Sequence, residues 1–177
     1  DFETIVNLTN HNYWNFHGHG KFYQNISDHK IKIYSNNYCE TDEQLIATGK
    51  IIKSKKNNFD YNKNNKIDDQ NIVDSCFLID NYDGGVRKIA SAYSKITKIG
   101  FSLFSNQPGL LFYTGNMMDN EYRGKKDRKY GKHYGFCLEP QILPNSIHLK
   151  NFPSSILRKN SLYQSKIIMR LENNFNE

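Results

Sequence analysis

The chain has 177 residues, of which 37% are hydrophobic, 24% charged and 14% aromatic. This length suits one domain and is too short for two ordinary ones. The mean hydropathy is −0.75, and no apolar run approaches the ~18 residues of a membrane-spanning helix, so we expect no membrane partner. Three cysteines cannot form a fully paired disulfide framework, which favours buried, reduced thiols at Cys39, Cys76 and Cys137.

The formal net charge is +6, and Lys supplies 19 of the 24 cationic side chains. A basic protein can bind nucleic acid, but these cations are scattered except at residues 53–56 and 123–129. Both clusters lie between strand-like runs, without a zinc-finger spacing or an RNA-recognition pattern. We therefore expect solvated basic loops and no nucleic-acid partner, with a basic RNA-binding protein as the remaining alternative.

The chain begins with Asp1-Phe2-Glu3, without a methionine, and a strand-like run over residues 3–9 follows almost at once. This start predicts a fragment or a processed product. Further along, β-branched and aromatic runs predict short strands separated by turn signals. The predicted strands cover residues 31–34, 76–79, 100–104, 110–113 and 167–171. Many short strands with frequent turns are typical of an all-β sandwich or barrel.

Polar segments and paired histidines interrupt this pattern. Residues 53–71 and 119–133 are polar or highly charged, which predicts partly mobile loops. The run His17-Gly18-His19 can place two imidazoles on one face of a strand, which would suit a metal ion. A turn made by Gly18 and Gly20 is the favoured interpretation, with metal binding as the alternative.

Four stretches of the sequence carry a more specific pattern. They are residues 7–16 (NLTNHNYWNF), 73–78 (VDSCFL), 106–116 (NQPGLLFYTGN) and 135–141 (GFCLEPQ). In this order they resemble the signatures of the aldose 1-epimerase (galactose mutarotase) family. The resemblance extends from about Val6 to Leu171.

This resemblance implies a fold, a partner and a location. The fold is a large antiparallel β-sandwich that binds a small aldose in a cleft. Members of the family are considerably longer, so the chain, residues 1–177, corresponds to the C-terminal half of one such domain. We therefore expect the N-terminal half of the same domain as a partner, and a cytoplasmic enzyme.

Mutarotation interconverts the α and β anomers of a free aldose. The anomeric hydroxyl loses a proton, the ring oxygen gains one, and the opened ring closes again on the other face of C1. One general base and one general acid suffice, so we expect no metal and no cofactor. By resemblance, Glu139 is the base and His11 is the acid that protonates the ring oxygen.

Further residues are assigned to the sugar by the same resemblance. Asp74 and Gln107 match family residues that bind sugar hydroxyls, which carboxylate and amide groups suit. Ser75 stands where the family usually has His, and Leu111 where it often has Gln. The aromatic rings of Tyr13 and Trp14 are expected to form a wall against a sugar face.

Two alternatives keep the fold but change the function. A non-catalytic sugar-binding relative would retain Asp74 and Gln107 but misplace the acid and the base. A hexose-6-phosphate epimerase would use the basic segment 123–129 to attract the phosphate.

Overall fold

The computed structural model describes residues 2–19, 23–56, 59–67, 72–121 and 123–175. Within these ranges the regular structure is almost entirely β, apart from two short 3-10 helices at Ser54–Lys56 and Lys125–Asp127. The strands are β1 (Thr4–Ile5), β2 (His29–Ile33), β3 (Asn37–Thr41), β4 (Ala47–Lys53), β5 (Asn65–Lys66), β6 (Asp74–Leu78), β7 (Arg87–Ser94), β8 (Ile99–Ser105), β9 (Gly109–Tyr113), β10 (Cys137–Gln141), β11 (Ile156–Leu157) and β12 (Ile167–Asn173). In the described part of the chain, no helix has the length and apolar character needed to cross a bilayer.

Two five-stranded antiparallel sheets form the body of the fold. Their strand orders are β10-β9-β6-β3-β4 and β12-β8-β7-β2-β5, while β1 pairs separately with β11. One apolar cluster contains side chains from both large sheets, for example Phe77 and Phe112 from the first and Ile31 and Phe101 from the second. The sheets therefore pack face to face, which confirms the all-β sandwich.

The five strands predicted from residues 31–34 to 167–171 all lie largely within observed strands. The run over residues 3–9 forms only the two-residue β1, so that prediction was too long. The chain also forms β3, β4, β5, β7, β10 and β11, which were not among the strands predicted from the sequence. In β7 small and polar side chains fill buried positions, so the run has little hydrophobic contrast.

The polar segment 53–71 contributes to the core as well as to the surface. Tyr61 and Ile67 are fully buried, and the Tyr61 ring lies edge-on to Phe112 with ring centroids 5.0 Å apart. Residues 57–58 and 68–71 of this segment lie outside the described residues. The segment predicted to be a partly mobile loop therefore also contributes two side chains to the core.

The register of β10, β9 and β6 decides which side chains face outward. Residues paired across these strands form rows, and two rows of the outer face are Cys137, Tyr113 and Asp74, then Glu139, Leu111 and Cys76. Because side chains alternate along a strand, the row between them points into the core. That inner row contains Phe112 and Leu138, both of which are almost fully buried.

Candidate active site

Glu139 sits in the middle of β10, on the outer face of the first sheet. It is buried, and its Oε1 atom is shielded from solvent without a hydrogen-bond partner. Burial raises the pKa of the Glu139 carboxyl, the charge of His11 lowers it, and the negative charge of Asp74 raises it further. The net effect is a raised pKa, which suits a carboxylate that exchanges protons with a ligand.

His11 approaches this carboxylate from the N-terminal segment. Its Nε2 atom lies 3.4 Å from Oε1 of Glu139, although the side chain remains 59% exposed. Its Nδ1 atom lies 3.6 Å from Sγ of Cys137. The imidazole also stacks on Tyr13, with ring centroids 5.3 Å apart and an angle of 22° between the planes. Tyr13 thus supports an imidazole that can still move to admit a ligand.

Asp74 begins β6 and lies on the same outer face. It pairs with Tyr113, and Tyr113 in turn pairs with Cys137 of β10. Burial raises the pKa of Asp74, and the charge of His11 opposes that rise. The structure therefore brings together three of the four residues assigned from the sequence: Glu139, His11 and Asp74.

Gln107 is the fourth residue assigned from the sequence. It occupies the turn between β8 and β9, where it is buried and its backbone N–H donates to Oγ of Ser105 at 3.1 Å. It lies four positions before Leu111, the neighbour of Glu139, and two positions before the start of β9. Contact between Gln107 and a sugar stays a prediction.

The site also includes Leu111, Tyr113 and Cys137, which no sequence motif had assigned to it. All three share the outer face with Glu139, and the two-residue alternation of β9 and β10 would have revealed them. Trp14 does not belong to the aromatic wall that was expected from Tyr13 and Trp14. Trp14 packs inward against Phe101, with ring centroids 5.1 Å apart, because successive residues point to opposite sides of an extended chain.

Cys137 is the buried thiol of this site. Burial and the negative charges of Glu139 and Asp74 raise its pKa to about 12, while a hydrogen bond with Tyr13 acts in the opposite direction. The thiol is therefore uncharged near neutral pH. All three cysteines are free and buried, which confirms the prediction of buried, reduced thiols.

Two groups of side chains within the described ranges bring potential metal ligands within 4.8 Å of one another. They are His11, Cys137 and Glu139 in the site, and His17, Asp28 and His29 beneath the second sheet. In the second group the contacts have hydrogen-bond lengths: Asp28 Oδ1 lies 2.7 Å from His17 Nε2 and 2.9 Å from His29 Nδ1. The contact between Asp28 and His29 is a hydrogen bond, whereas the two buried ring nitrogens of His17 have no hydrogen-bond partner within the described residues.

The histidines of the His17-Gly18-His19 run point to different partners. Gly18 adopts a positive φ of 60° in a turn, and His19 Nε2 lies 2.7 Å from the Tyr130 hydroxyl. The predicted turn at Gly18 is confirmed, whereas Gly20 lies outside the described residues. These two histidines do not converge on one position.

Comparison with known proteins gives consistent results. A family model described as aldose 1-epimerase matches residues 2–170. Galactose mutarotase from Homo sapiens is 34% identical over 168 residues, which cover 90% of this chain and 48% of that protein. Aldose 1-epimerase from Streptococcus thermophilus is 32% identical over 166 residues, covering 88% of this chain and 46% of that protein. The chain thus spans about half the length of the curated relatives it matches.

Solved structures with a similar fold carry related names. The crystal structure of an aldose epimerase homologue from C. elegans superimposes with a TM-score of 0.86 at 20% identity, covering 98% of this chain and 53% of that one. Galactose 1-epimerase from Lactobacillus acidophilus superimposes with a TM-score of 0.72, also at 20% identity, covering 99% of this chain and 51% of that one. At this identity the likeness establishes the fold.

Proposed function

The chain belongs to the aldose 1-epimerase family, and we propose that it forms the C-terminal part of an enzyme that interconverts the α and β anomers of free hexoses such as galactose and glucose. The observation that carries this proposal is the pairing of Glu139 and His11. A buried carboxylate oxygen without a hydrogen-bond partner faces an exposed imidazole across 3.4 Å. A ligand that binds between these two groups would have a base on one side and an acid on the other.

In the proposed reaction, ionised Glu139 takes the proton from the anomeric hydroxyl. Protonated His11 gives a proton to the ring oxygen as the bond between C1 and that oxygen breaks. The open-chain aldehyde rotates about its C1–C2 bond, and the two proton transfers then run in reverse. The anomeric and ring oxygens share one carbon, so both transfers fit between two groups separated by roughly 6 Å. The present separation of 3.4 Å is shorter, so the exposed His11 side chain must move away from Glu139 when a sugar binds.

The surroundings of the pair suit a sugar. Asp74 has two carboxylate oxygens that can accept hydrogen bonds from neighbouring hydroxyls. Tyr13 and Leu111 offer apolar surface for the C–H groups of a pyranose ring. The raised pKa of Glu139 moves the base toward neutral pH, where proton transfer with a weak acid is more effective.

We also propose that the remainder of the β-sandwich covers the surface next to β1, which would make it the partner of this chain. Several large apolar side chains are exposed there, including Phe2 at 94%, Leu162 at 86% and Leu8 at 62%. A groove of about 560 Å³ is lined by Leu8, Asn10, Tyr163 and Ile167 among others. An apolar surface of this kind is typical of a covered face. The three free cysteines support a reducing compartment such as the cytoplasm.

Polarimetry of freshly dissolved α-D-glucose and α-D-galactose tests the activity. We expect faster approach to the anomeric equilibrium, and a 10²- to 10⁴-fold loss of that acceleration in Glu139→Gln, which keeps the shape but removes the base. Glu43→Gln, at an exposed turn, is the matched control and should retain full activity.

If the chain alone is silent, the assay is repeated with the N-terminal half of the domain co-expressed. Activity that appears only then supports the proposed partner. Silence in both assays, with sugar binding retained, would favour the non-catalytic relative. Activity restricted to glucose 6-phosphate would favour the hexose-6-phosphate epimerase. In the basic segment, however, Arg123 pairs with Asp127 and Arg128 lies over the Tyr23 ring, so both guanidinium groups already have partners.

A further inference from the structure

Cys137 has no part in the proposed proton transfers, although it lies directly beside the groups that perform them. Cys137 and Glu139 are two positions apart on β10, so their side chains point to the same face of the sheet. Nδ1 of His11 lies 3.6 Å from Sγ of Cys137, and Nε2 of the same ring lies 3.4 Å from Oε1 of Glu139. A sulfur, a ring nitrogen and a carboxylate oxygen thus meet at one place.

These three groups are the ligand types that zinc binds in proteins. One ligand atom from each of His11, Cys137 and Glu139 lies within 4.8 Å of the other two. Zinc–ligand distances of about 2.3 Å to sulfur and about 2.1 Å to nitrogen put these two ligands roughly 3.6 Å apart on a tetrahedral ion. The observed separation of His11 Nδ1 and Cys137 Sγ is 3.6 Å. The exposed His11 side chain can make the remaining adjustment relative to Glu139.

Burial of the other two ligands adds a second, independent observation. Glu139 is only 5% exposed, Cys137 is fully buried, and within the described residues Oε1 of Glu139 has no hydrogen-bond partner. A buried carboxylate oxygen in this state is energetically costly, and a cation supplies the missing partner. Asp74 adds a second carboxylate to the same face, so the electrostatic potential there favours a divalent cation.

The second group of potential ligands, His17, Asp28 and His29, is less suited to a metal ion. The Phe16 backbone N–H donates to His29 Nε2 at 2.9 Å, so the proton of that ring lies on Nδ1. Nδ1 faces Asp28 at 2.9 Å, and a protonated ring nitrogen cannot bind a metal. This group also has no sulfur, which distinguishes its spectroscopic signature from that of the site at Glu139.

We propose that His11, Cys137 and Glu139 form an inhibitory site for divalent zinc, with a water molecule as the fourth ligand. On binding, the S–H bond of Cys137 breaks, its proton passes to solvent water, and a sulfur electron pair forms the bond to zinc without any change of oxidation state. The ion then occupies both the acid and the base, so zinc and a sugar exclude each other. The proposed reaction needs no metal, and the inhibition rests on the proposed function, whereas zinc binding does not.

Cobalt(II) chloride is the spectroscopic probe, titrated into the chain in the presence of a phosphine reductant. A thiolate bound to cobalt gives a charge-transfer absorption band in the near ultraviolet, which we expect here and which zinc chloride should erase by displacement. Cys137→Ala should abolish the band. Cys39→Ala is the matched control and should retain it, because Cys39 is a buried free thiol outside the site. His11→Ala, at an exposed side chain, should weaken cobalt affinity by at least about tenfold.

Absence of the band in the unmodified chain would overturn the inference, as would a band that persists in Cys137→Ala. If Cys137→Ala does not fold, as judged by thermal unfolding, His11→Ala decides, and an unchanged cobalt affinity there overturns the inference. None of these results depends on turnover.

Mutarotation provides the test of inhibition. Zinc chloride should raise the apparent KM for galactose without changing kcat, and excess EDTA should restore the original KM. Mutarotation that is unaffected by saturating zinc would overturn the inhibition. A normal cobalt band in a chain without mutarotation in any assay would instead overturn the proposed function alone.

Discussion

The carboxylates of Asp74 and Glu139 lie on the same outer face of one sheet, with β9 between their strands. Glu139 is buried and Asp74 is half-buried, and the charge of Asp74 raises the pKa of Glu139. Two acidic groups in one site thus make the ionisation of the proposed base harder. This arrangement follows the general rule that neighbouring carboxylates have different proton affinities and hence different roles.

This relationship predicts a pH effect of Asp74→Asn. Removing the negative charge of Asp74 should lower the pKa of Glu139, observed by 13C NMR titration of the Glu139 carboxyl carbon. Because Glu139 must be deprotonated to act as a base, activity rises as the pH passes its pKa. The acid limb of the pH profile of kcat/KM should therefore move to lower pH.

Asp83→Asn is the control for this experiment, since Asp83 lies in the turn after β6, at the end of that strand opposite Asp74. It should leave the titration of Glu139 unchanged. An unchanged or higher Glu139 pKa in Asp74→Asn would contradict the proposed electrostatic coupling, whatever the effect on sugar affinity.

Cys137 should react slowly with iodoacetamide. Its pKa is raised from 9.0 to about 12, so the thiolate fraction at pH 8 is lower by about a thousandfold. We expect peptide mapping by mass spectrometry to show alkylation at least a thousandfold slower in the native protein than in urea. Burial of the sulfur adds a steric barrier to this effect.

The effects of charge and of solvent access on the alkylation rate of Cys137 can be measured separately. Glu139→Gln removes one of the charges that raise the pKa of Cys137, so alkylation should become faster. Glu43→Gln should leave the rate unchanged. Equal rates in both variants would mean that access alone protects the sulfur.

The outer face of the site illustrates what the sequence reveals and what it does not. Glu139, His11 and Asp74 were assigned from short motifs, and the fold brings them together. Their neighbours Tyr113 and Cys137 follow from strand alternation once the register of β9 and β10 is known. That register depends on pairing between segments about 25 residues apart, which a single sequence does not specify.

The contacts of Tyr130 were harder to predict from the sequence. Tyr130 belongs to the charged segment 119–133, which the composition predicted to be a partly mobile loop. Its contact with His19 joins positions 111 residues apart in the chain. Long-range contacts of this kind arise from the tertiary fold. The side chains of the adjacent residues Tyr13 and Trp14 point to different sides, and their directions could not be predicted without knowing how the strand is oriented.

Gly115 should be among the most sensitive backbone positions near the site. Its φ is +67°, and a Cβ atom added there would lie 2.3 Å from the Gly135 carbonyl oxygen. Gly115→Ala therefore combines an unfavourable left-handed conformation with a backbone clash, and we expect a loss of about 3 kcal/mol in the free energy of unfolding. Urea unfolding followed by tryptophan fluorescence measures this loss.

Gly84→Ala provides a matched comparison. Gly84 has a φ of +81°, but a Cβ atom there meets no other atom within 4 Å. Only the conformational cost remains, about 1 kcal/mol. Equal losses in the two variants would show that the approach of Gly115 to Gly135 is easily relieved.

The network around Asp28 should make stability sensitive to acid. Burial opposes ionisation of Asp28, but the hydrogen bonds from His29 and Ser94 and the charges of His29 and His17 outweigh it and lower its pKa from 3.8 to about 2. A carboxyl with a lowered folded-state pKa stabilises the fold above its ordinary pKa, and this contribution is lost as the pH falls from about 4 towards 2.

His29 adds an earlier loss of stability. Burial lowers the pKa of His29 below 6.5, while its hydrogen bond to Asp28 opposes this shift. The fold therefore favours the neutral imidazole, and protonation of the unfolded chain below about pH 6.5 reduces stability. We expect two successive losses on acidification, the first linked to His29 and the second to Asp28.

Asp28→Asn tests this order directly. It should lower the free energy of unfolding at pH 7 by about 2 kcal/mol, because buried hydrogen bonds to a charged acceptor are replaced by weaker ones. It should also remove the decline between about pH 4 and pH 2, so the variant and the unmodified chain should approach equal stability at the lower limit. Asp83→Asn, at an exposed turn, should keep the full acid dependence. A parallel offset between Asp28→Asn and the unmodified chain at every pH would mean that Asp28 stabilises the fold by packing and not by its charge.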